Sequence, residues 1–207
     1  MKKVFSVEEI KEIESREFRK RGGDSFSLMV NAGVNCAKKI IKLVKKKPII
    51  IVCGPGNNGG DGFIIGNYLH EKEYKVEVFC LQKKYYKGDA LKAFKKLKIR
   101  TRNISKFKAR KNSAIIDSIF GIGLNRPISG TLKSVILRMN KLNKIISIDI
   151  PSGINGDTGR ILGCAVKAHT TLALHAKKIG HTLNPGKKFS GKIIVVGIGI
   201  SKKFNYK

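Results

Sequence analysis

The chain is predicted to be an α/β protein whose central sheet is mostly parallel and covered by helices on both faces. Three observations predict this. Strand-like and helix-like stretches alternate from residue 48 onward, the order expected of a parallel sheet with crossover helices. The strand candidates, among them Ile49-Ile50-Ile51-Val52 and Ile145-Ile146-Ser147-Ile148, are near-continuous apolar runs, as strands buried on both faces require. Three of these runs end in polar, flexible sequence at their C-terminal ends: Asn57, Asn58 and Asp61 after one, Asp117 and the Gly121 loop after another, Asp149 and Ser152 after a third.

Taken in order, Ser6 followed by Glu8 and Glu9 starts a helix, and Ile10, Ile13, Glu14, Glu17 and Phe18 continue it to about Arg21, where Gly22-Gly23 ends it. Ser25 to Lys46 carries Leu28, Met29, Ala32, Cys36, Ile40 and Leu43 at spacings of three and four, the apolar stripe of a second helix. Pro48 stops it and opens the first strand, 49–53. A tight loop with four glycines follows, and the chain resumes as a helix through Ile64-Ile65-Gly66-Asn67-Tyr68-Leu69. Lys75 to Cys80 is a second strand, Gly88 to Leu97 is helical, and the apolar piece near Ile104 fits strand or loop equally well. Ser113 to Asp117 is a buried strand running into the loop Phe120-Gly121-Ile122-Gly123-Leu124-Asn125-Arg126-Pro127; Thr131 to Asn140 is a helix and Lys144 to Asp149 another buried strand. Thr170 to Leu174 and Lys192 to Val196 are strands, with Asn184-Pro185-Gly186 a turn between them. With 207 residues and 42% apolar composition, one folded unit over 1–207 is expected, its N-terminal helices at about 6–46 and its α/β core at about 48–200.

The formal charge of +29, from 43 Lys plus Arg against 14 Asp plus Glu, raises a nucleic acid or a membrane surface as partner. The lysines are spread along the whole chain, beside predicted elements, and are read as solvated faces rather than a nucleic-acid patch. Cys36, Cys53, Cys80 and Cys164 have no Cys-x-x-Cys spacing and sit in apolar or small-residue stretches, the pattern of buried free thiols in a reducing compartment. No apolar run approaches the roughly 20 residues that span a bilayer, and the N-terminus leads into a charged segment. A cytoplasmic protein without membrane attachment is expected.

In open α/β sheets the ligand crevice lies outside the strand C-termini, so the three polar loops should converge on one site. Gly54, Gly56 and Gly59 spell G-x-G-x-x-G between a strand and a helix, which by itself suggests a dinucleotide cradle. The end of the second strand reads Cys80-Leu81-Gln82, so the acid that would bind a ribose is missing. Asn58, Asp117 and Ser152 offer oxygens from three loops, a set suited to a hard cation; the alternative is that they cap helices and close turns.

Four motifs together resemble the NAD(P)H-hydrate epimerases, the domain that also forms the N-terminal half of bifunctional nicotinamide-nucleotide repair proteins. They are Leu28-Met29-Val30-Asn31-Ala32-Gly33, Gly54 to Gly62, Asp117 to Pro127, and Asp149-Ile150-Pro151-Ser152-Gly153 followed by Asp157-Thr158-Gly159. The resemblance implies a three-layer αβα, Rossmann-like domain that interconverts the R and S forms of hydrated NADH and NADPH. It implies that Asn57, Asn58, Gly59, Gly60, Asp61, Gly121, Ile122, Gly123, Leu124, Asn125, Arg126, Pro127 and Asp149 bind the substrate, and that Asn58, Asp117 and Ser152 hold a potassium ion. It further implies a homodimer acting beside a separate dehydratase. No kinase-like dehydratase domain fits after residue 200, so this chain is expected to be the epimerase alone.

Inverting a carbon that bears a hydroxyl next to a ring nitrogen needs reversible loss of that hydroxyl, as water or by ring opening, with a proton transfer at each stage. Asp149, at the end of a buried strand where its pKa can be tuned, is the acid/base candidate; the alternative is a structural acceptor for the N–H groups of the 151–153 turn. Lys178, in Ala176-Lys177-Lys178-Ile179-Gly180, resembles the lysine of a family Ala-Leu-Lys-Pro-Gly segment, with Ile179 in the proline's place; in so lysine-rich a chain, a solvated side chain is the other reading. Arg126 is a candidate phosphate contact or a surface residue. The rival to an enzyme is a non-catalytic RNA- or protein-binding domain of the same fold, as in messenger-RNA decapping scaffolds.

Overall fold

The computed structural model describes residues 4–108, 110, 112–141 and 144–200. Its first elements are β1 (Val4–Phe5), α1 (Val7–Lys20), α2 (Phe26–Val44), β2 (Ile49–Cys53), α3 (Asn57–Glu71), β3 (Val76–Cys80), α4 (Gly88–Lys95) and β4 (Thr101–Asn103). There follow β5 (Ala114–Ser118), α5 (Gly130–Met139), β6 (Ile145–Ile148), β7 (Thr170–Leu174), β8 (Lys177–Lys178), α6 (Gly186–Ser190) and β9 (Lys192–Val196). Seven strands form one sheet in the order β4-β3-β2-β5-β6-β7-β9, and every pair in it is parallel.

Because successive side chains of a strand point to opposite faces, the continuous apolar runs fill two cores. Ile49, Ile51 and Cys53 pack under α2 and α3 with Cys36, Ile40, Phe63 and Leu69. Ile50 and Val52 face the other way, onto Phe107, Val135, Ile136 and Met139. The chain leaves β2 toward β3 and β4 on one side, then returns to build β5, β6, β7 and β9 on the other. The strand order therefore reverses between β2 and β5, the switch point where the loops after the two strands diverge and leave a crevice.

Several elements differ from the sequence reading. The glycine stretch is mostly helix: α3 begins at Asn57, with Gly56 as its N-cap, so Asn57 to Asp61 form a first turn rather than a loop. Burial explains the difference, since Gly59, Gly60 and Gly62 let this turn press against the Gly54 backbone, Met29 of α2 and the ends of β2 and β5 where larger residues could not fit. The ambiguous piece near Ile104 is the short edge strand β4 followed by a single 3-10 turn, Ile104–Lys106. Beyond the turn at Asn184-Pro185-Gly186 comes the short helix α6. A two-stranded sheet has no sequence counterpart in the reading: β1 pairs in parallel with β8, Phe5 opposite Lys178.

That small sheet fixes the N-terminus. α1 starts with a capping box, in which Glu9 N–H donates to Ser6 Oγ at 3.1 Å and Ser6 N–H to a Glu9 carboxylate oxygen at 2.8 Å. Val7 N–H donates to Asp157 Oδ1 at 2.7 Å, and Phe5, Ile10, Ile13 and Ala176 share a small apolar cluster. One face of α1 is thereby held over the end of β7 and beside β8.

All four cysteines are buried and unbridged. No helix among the described residues is long and apolar enough to cross a membrane.

Candidate active site

The C-terminal ends of β2, β5 and β6 open onto a cavity of about 490 Å³. The first turn of α3 lines it with Asn57, Asn58 and Asp61, the loop after β5 with Phe120, Gly121, Ile122, Gly123 and Leu124, and the residue after β6 with Asp149. α1 adds Lys11 and Glu14, and β7 adds Leu174.

Asp149 is the centre of a three-residue turn, closed by Ile150 N–H donating to the Ile148 carbonyl at 2.9 Å. Its φ is +68°, the left-handed region that Asp tolerates better than most residues, at a cost of about 1–3 kcal/mol. Its backbone N–H is held by the Leu172 carbonyl at 2.8 Å. Ile122 N–H donates to Asp149 Oδ2 at 3.0 Å, and Gly121 leaves room for that oxygen, which would lie 2.7 Å from a Cβ there. The other carboxylate oxygen, Oδ1, accepts from Lys178 Nζ.

Lys178 is fully buried. Its ammonium pairs with Asp149 and donates to the Leu174 carbonyl at 2.8 Å. Its own N–H donates to His181 Nδ1 at 3.0 Å, which leaves the imidazole proton for Nε2. Burial, reinforced by the Lys178 charge, pushes His181 down to about 4, so the ring is neutral and acts as a positioning acceptor. The solvated reading of Lys178 is excluded by this burial. The resemblance of its segment to a family Ala-Leu-Lys-Pro-Gly stretch singles it out among the lysines, and β8, which carries it, pairs with β1.

The structural role considered for Asp149 belongs to Asp117 instead. Ser152 N–H, from the 151–153 turn, donates to Asp117 Oδ2 at 2.9 Å, Ser147 Oγ to the same oxygen at 2.7 Å, and Ser152 Oγ to Oδ1 at 2.6 Å. Ile119 N–H reaches Oδ1 at 3.3 Å. Burial raises the Asp117 pKa, and the hydrogen bonds from Ser152, Ser147 and Ile119 oppose it. Ser152 Oγ also accepts from Phe120 N–H at 2.8 Å, so Asp117 and Ser152 together fasten the loops after β5 and β6.

Asn58 is buried, and neither its Oδ1 nor its Nδ2 has a hydrogen-bond partner among the described residues. Its carbonyl accepts from Ser118 Oγ at 2.5 Å, the residue beside Asp117. A buried amide without partners is costly, and a free amide oxygen of that kind is a ligand type that a hard cation takes. Of the set Asn58, Asp117 and Ser152, only the Asn58 amide is without a protein partner among the described residues; the Asp117 oxygens already accept four protein hydrogen bonds, and Ser152 Oγ is engaged with Asp117 and Phe120.

Not every residue named from sequence reaches the cleft. Gly59 packs on the Gly54 carbonyl and Gly60 on Met29, inside the fold. Asn125 is exposed, and Arg126 and Pro127 border an adjoining hollow with Phe120, Leu124 and Leu132. Two residues of α1, Lys11 and Glu14, line the cleft although the sequence marks this helix only as packing. Nothing in the local sequence marks them, because the α1 stripe that buries Ile10 and Ile13 is an ordinary amphipathic pattern.

The cleft is thus acidic within a strongly basic chain. Asp61 is buried, and its pKa is raised well above the usual carboxylate range, first by burial and then by the Asp149 and Glu14 charges. In the unfolded chain this carboxyl ionises near the ordinary value of about 3.9. As pH rises past that point the unfolded state loses its proton first and gains relative stability, so Asp61 costs the fold most at high pH. Asp61→Asn is expected to raise the unfolding free energy at pH 8 and to change it less at pH 4, measured by denaturant unfolding at both values.

An open parallel sheet with a polar cleft at its switch point, bordered by a helix N-terminus and holding a buried Asp–Lys pair, defines a small-molecule-binding α/β protein of enzymatic type. Residues 25–180 match the family described as YjeF-related protein N-terminus, and the chain belongs to that family. It is 31% identical over 211 residues to the NAD(P)H-hydrate epimerase of Lentilactobacillus buchneri, covering 97% of this chain and 96% of that protein. It is 35% identical over 219 residues to the NAD(P)H-hydrate epimerase of Elusimicrobium minutum, covering 97% of each. The bifunctional NAD(P)H-hydrate repair enzyme Nnr of Thermofilum pendens is 33% identical over 206 residues, 93% of this chain and 39% of that protein. The chain thus spans about two fifths of the length of this bifunctional relative. Among solved structures, yeast ynu0 superposes with a TM-score of 0.78 at 22% identity, covering 100% of this chain and 95% of that one, a likeness of fold.

Proposed function

We propose that the chain is an NAD(P)H-hydrate epimerase, interconverting the R and S forms of hydrated NADH and NADPH in nicotinamide-nucleotide repair. The observation that carries the reading is the buried Asp149–Lys178 pair at the floor of the cleft, in a chain alignable over nearly its whole length with proteins named for this activity.

The reaction breaks the ring C–O bond as the nitrogen lone pair forms C=N, and a proton delivered to the departing hydroxyl makes water. Water then adds to the other face, C=N returns its electrons to nitrogen, and a base takes the proton from the adding water. Asp149 is the acid/base group. Lys178 holds one of its oxygens and Ile122 N–H the other, so its reacting lone pairs are aimed rather than free to rotate. Asp61, whose pKa burial raises, supplies a neutral hydrogen-bond donor in its protonated form. The N-terminal turn of α3, with Gly56 and Asn57 at the cleft, suits the substrate pyrophosphate, since unpaired N–H groups and the helix dipole favour an anion.

Potassium is the cofactor of this reading, held by Asn58, Asp117 and Ser152; its support is the unpartnered Asn58 oxygen. When bound, the ion supplies a fixed positive charge between the loops that frame the substrate. The reading extends to a homodimer in the cytoplasm working beside a separate dehydratase. The unbridged buried thiols support the reducing compartment, and the bifunctional name of the longer relative supports the coupling to a dehydratase.

The test supplies the R form of hydrated NADPH in potassium and then sodium buffer and follows the S form by chromatography against a no-enzyme control. Enhancement is expected, greater in potassium and lost in Asp149→Asn. No enhancement in either buffer overturns the epimerase.

A further inference from the structure

We propose that Glu14, on α1, is a second acid/base group of this reaction, serving the face of the ring opposite Asp149 and passing its proton to solvent. The proposal rests on the epimerase reading and adds a residue to it. Epimerisation removes a hydroxyl from one face and adds water to the other, so a single carboxyl fixed against one face does not reach both oxygens. Asp149 is fixed: Lys178 and Ile122 hold its two oxygens at the floor. The second group must come from across the cleft.

Glu14 is a carboxyl that lines the same cleft from another element, α1. It lines the main cavity with Asp149 and Asp61, and it also lines an adjoining cavity of about 380 Å³ with Ser15, Leu28 and Met29. It therefore stands where the two spaces meet. It is half-buried, in contrast to the buried Asp61 and Asp149, so a proton has a path from it to water. Its helix is anchored at the capping box, by Val7 N–H on Asp157, and by the β1–β8 pairing that also places Lys178. No salt bridge or hydrogen bond of the Glu14 carboxylate is present among the described residues.

Charge arithmetic favours the role. Glu14, Asp61 and Asp149 share the space with Lys178 at the floor and Lys11 at the rim, and like charges that close do not all ionise together. Burial, then the Asp149 charge, pushes Glu14 up to about 7, with Lys178 and Lys11 opposing. A group balanced between its two forms at neutral pH can give a proton in one half-reaction and take one in the other.

The test compares Glu14→Gln and Glu14→Asp with the wild type across pH 5 to 9, and follows the Glu14 carboxyl by carbon-13 NMR titration. The expected result is a wild-type kcat/KM profile with a limb near pH 7 that Glu14→Gln abolishes, with kcat down roughly 10²-fold, KM little changed, and partial rescue in Glu14→Asp. The carboxyl should titrate near 7 in the wild type and lower in Asp149→Asn, where the repelling charge is gone. A wild type that turns over while Glu14→Gln keeps its rate and its pH limb overturns the role of Glu14 alone. A wild type without turnover overturns the epimerase and this role together.

Discussion

Lys178→Met is expected to lower stability by about 3–5 kcal/mol and to reduce epimerisation by about 10²-fold or more, because it leaves the Asp149 carboxylate buried without its partner. Asp149→Asn should cost a similar amount of stability from the other side of the pair, stranding an ammonium that is fully buried. The Leu174 carbonyl, which already accepts from Nζ at 2.8 Å, cannot neutralise that charge. The double variant Asp149→Asn/Lys178→Met removes both charges, so its loss of stability should be much smaller than the sum of the single losses. Activity should behave differently. The double variant regains stability but no turnover, since the acid/base group is gone. Chemical denaturation of the four proteins, with the chromatographic assay beside it, measures both quantities. Additive stability losses would mean that the two side chains act independently, and the assignment of a coupled pair would fail.

The second large effect concerns the glycine signature. Gly59→Ala is expected to destabilise the chain by more than about 3 kcal/mol, against no more than about 1 kcal/mol for Gly56→Ala. The two positions belong to one G-x-G-x-x-G pattern, yet they do different work. A Cβ on Gly59 would lie 2.0 Å from the Gly54 carbonyl oxygen, and one on Gly54 would lie 2.0 Å from that of Ile119. Both obstacles are backbone, so neither can swing aside. Gly56 has nothing within 4 Å and a φ of −97° that alanine adopts freely. Its alanine variant should fold, and any loss of substrate affinity there reports on the helix N-terminus directly. Equal losses of stability at the two positions would refute the packing role of Gly59.

The sequence legible before folding covers most of the scaffold. Near-continuous apolar strands predict a sheet buried on both faces, and β7 and β9 lie where Thr170 to Leu174 and Lys192 to Val196 place them. Polar residues at three strand ends predict one cleft, and Asn58 and Asp149 do line it, while Asp117 and Ser152 bond beneath its loops. The glycines suggest a loop, but α3 begins seven residues before the apolar pattern does, because tertiary packing rather than intrinsic propensity stabilises a glycine-rich turn. Asp117 and Asp149 look alike as acids ending buried strands. One fastens the 151–153 turn and the other faces the cleft, a distinction made by which backbone N–H groups each meets.

By itself the sequence determined the layers, the strands of the central sheet other than the edge strand β4, the end of the sheet that carries the site and the family to which the chain belongs. These follow from hydrophobic periodicity and short local motifs, which act over a few residues. Only the tertiary structure decided that Lys178, one of 43 basic residues, is buried against Asp149, and that Glu14 of an otherwise ordinary amphipathic helix faces the same space. Both depend on β1 meeting β8, more than 170 residues apart. Burial and charge coupling between such distant groups are properties of their assembled positions, and no local pattern encodes them.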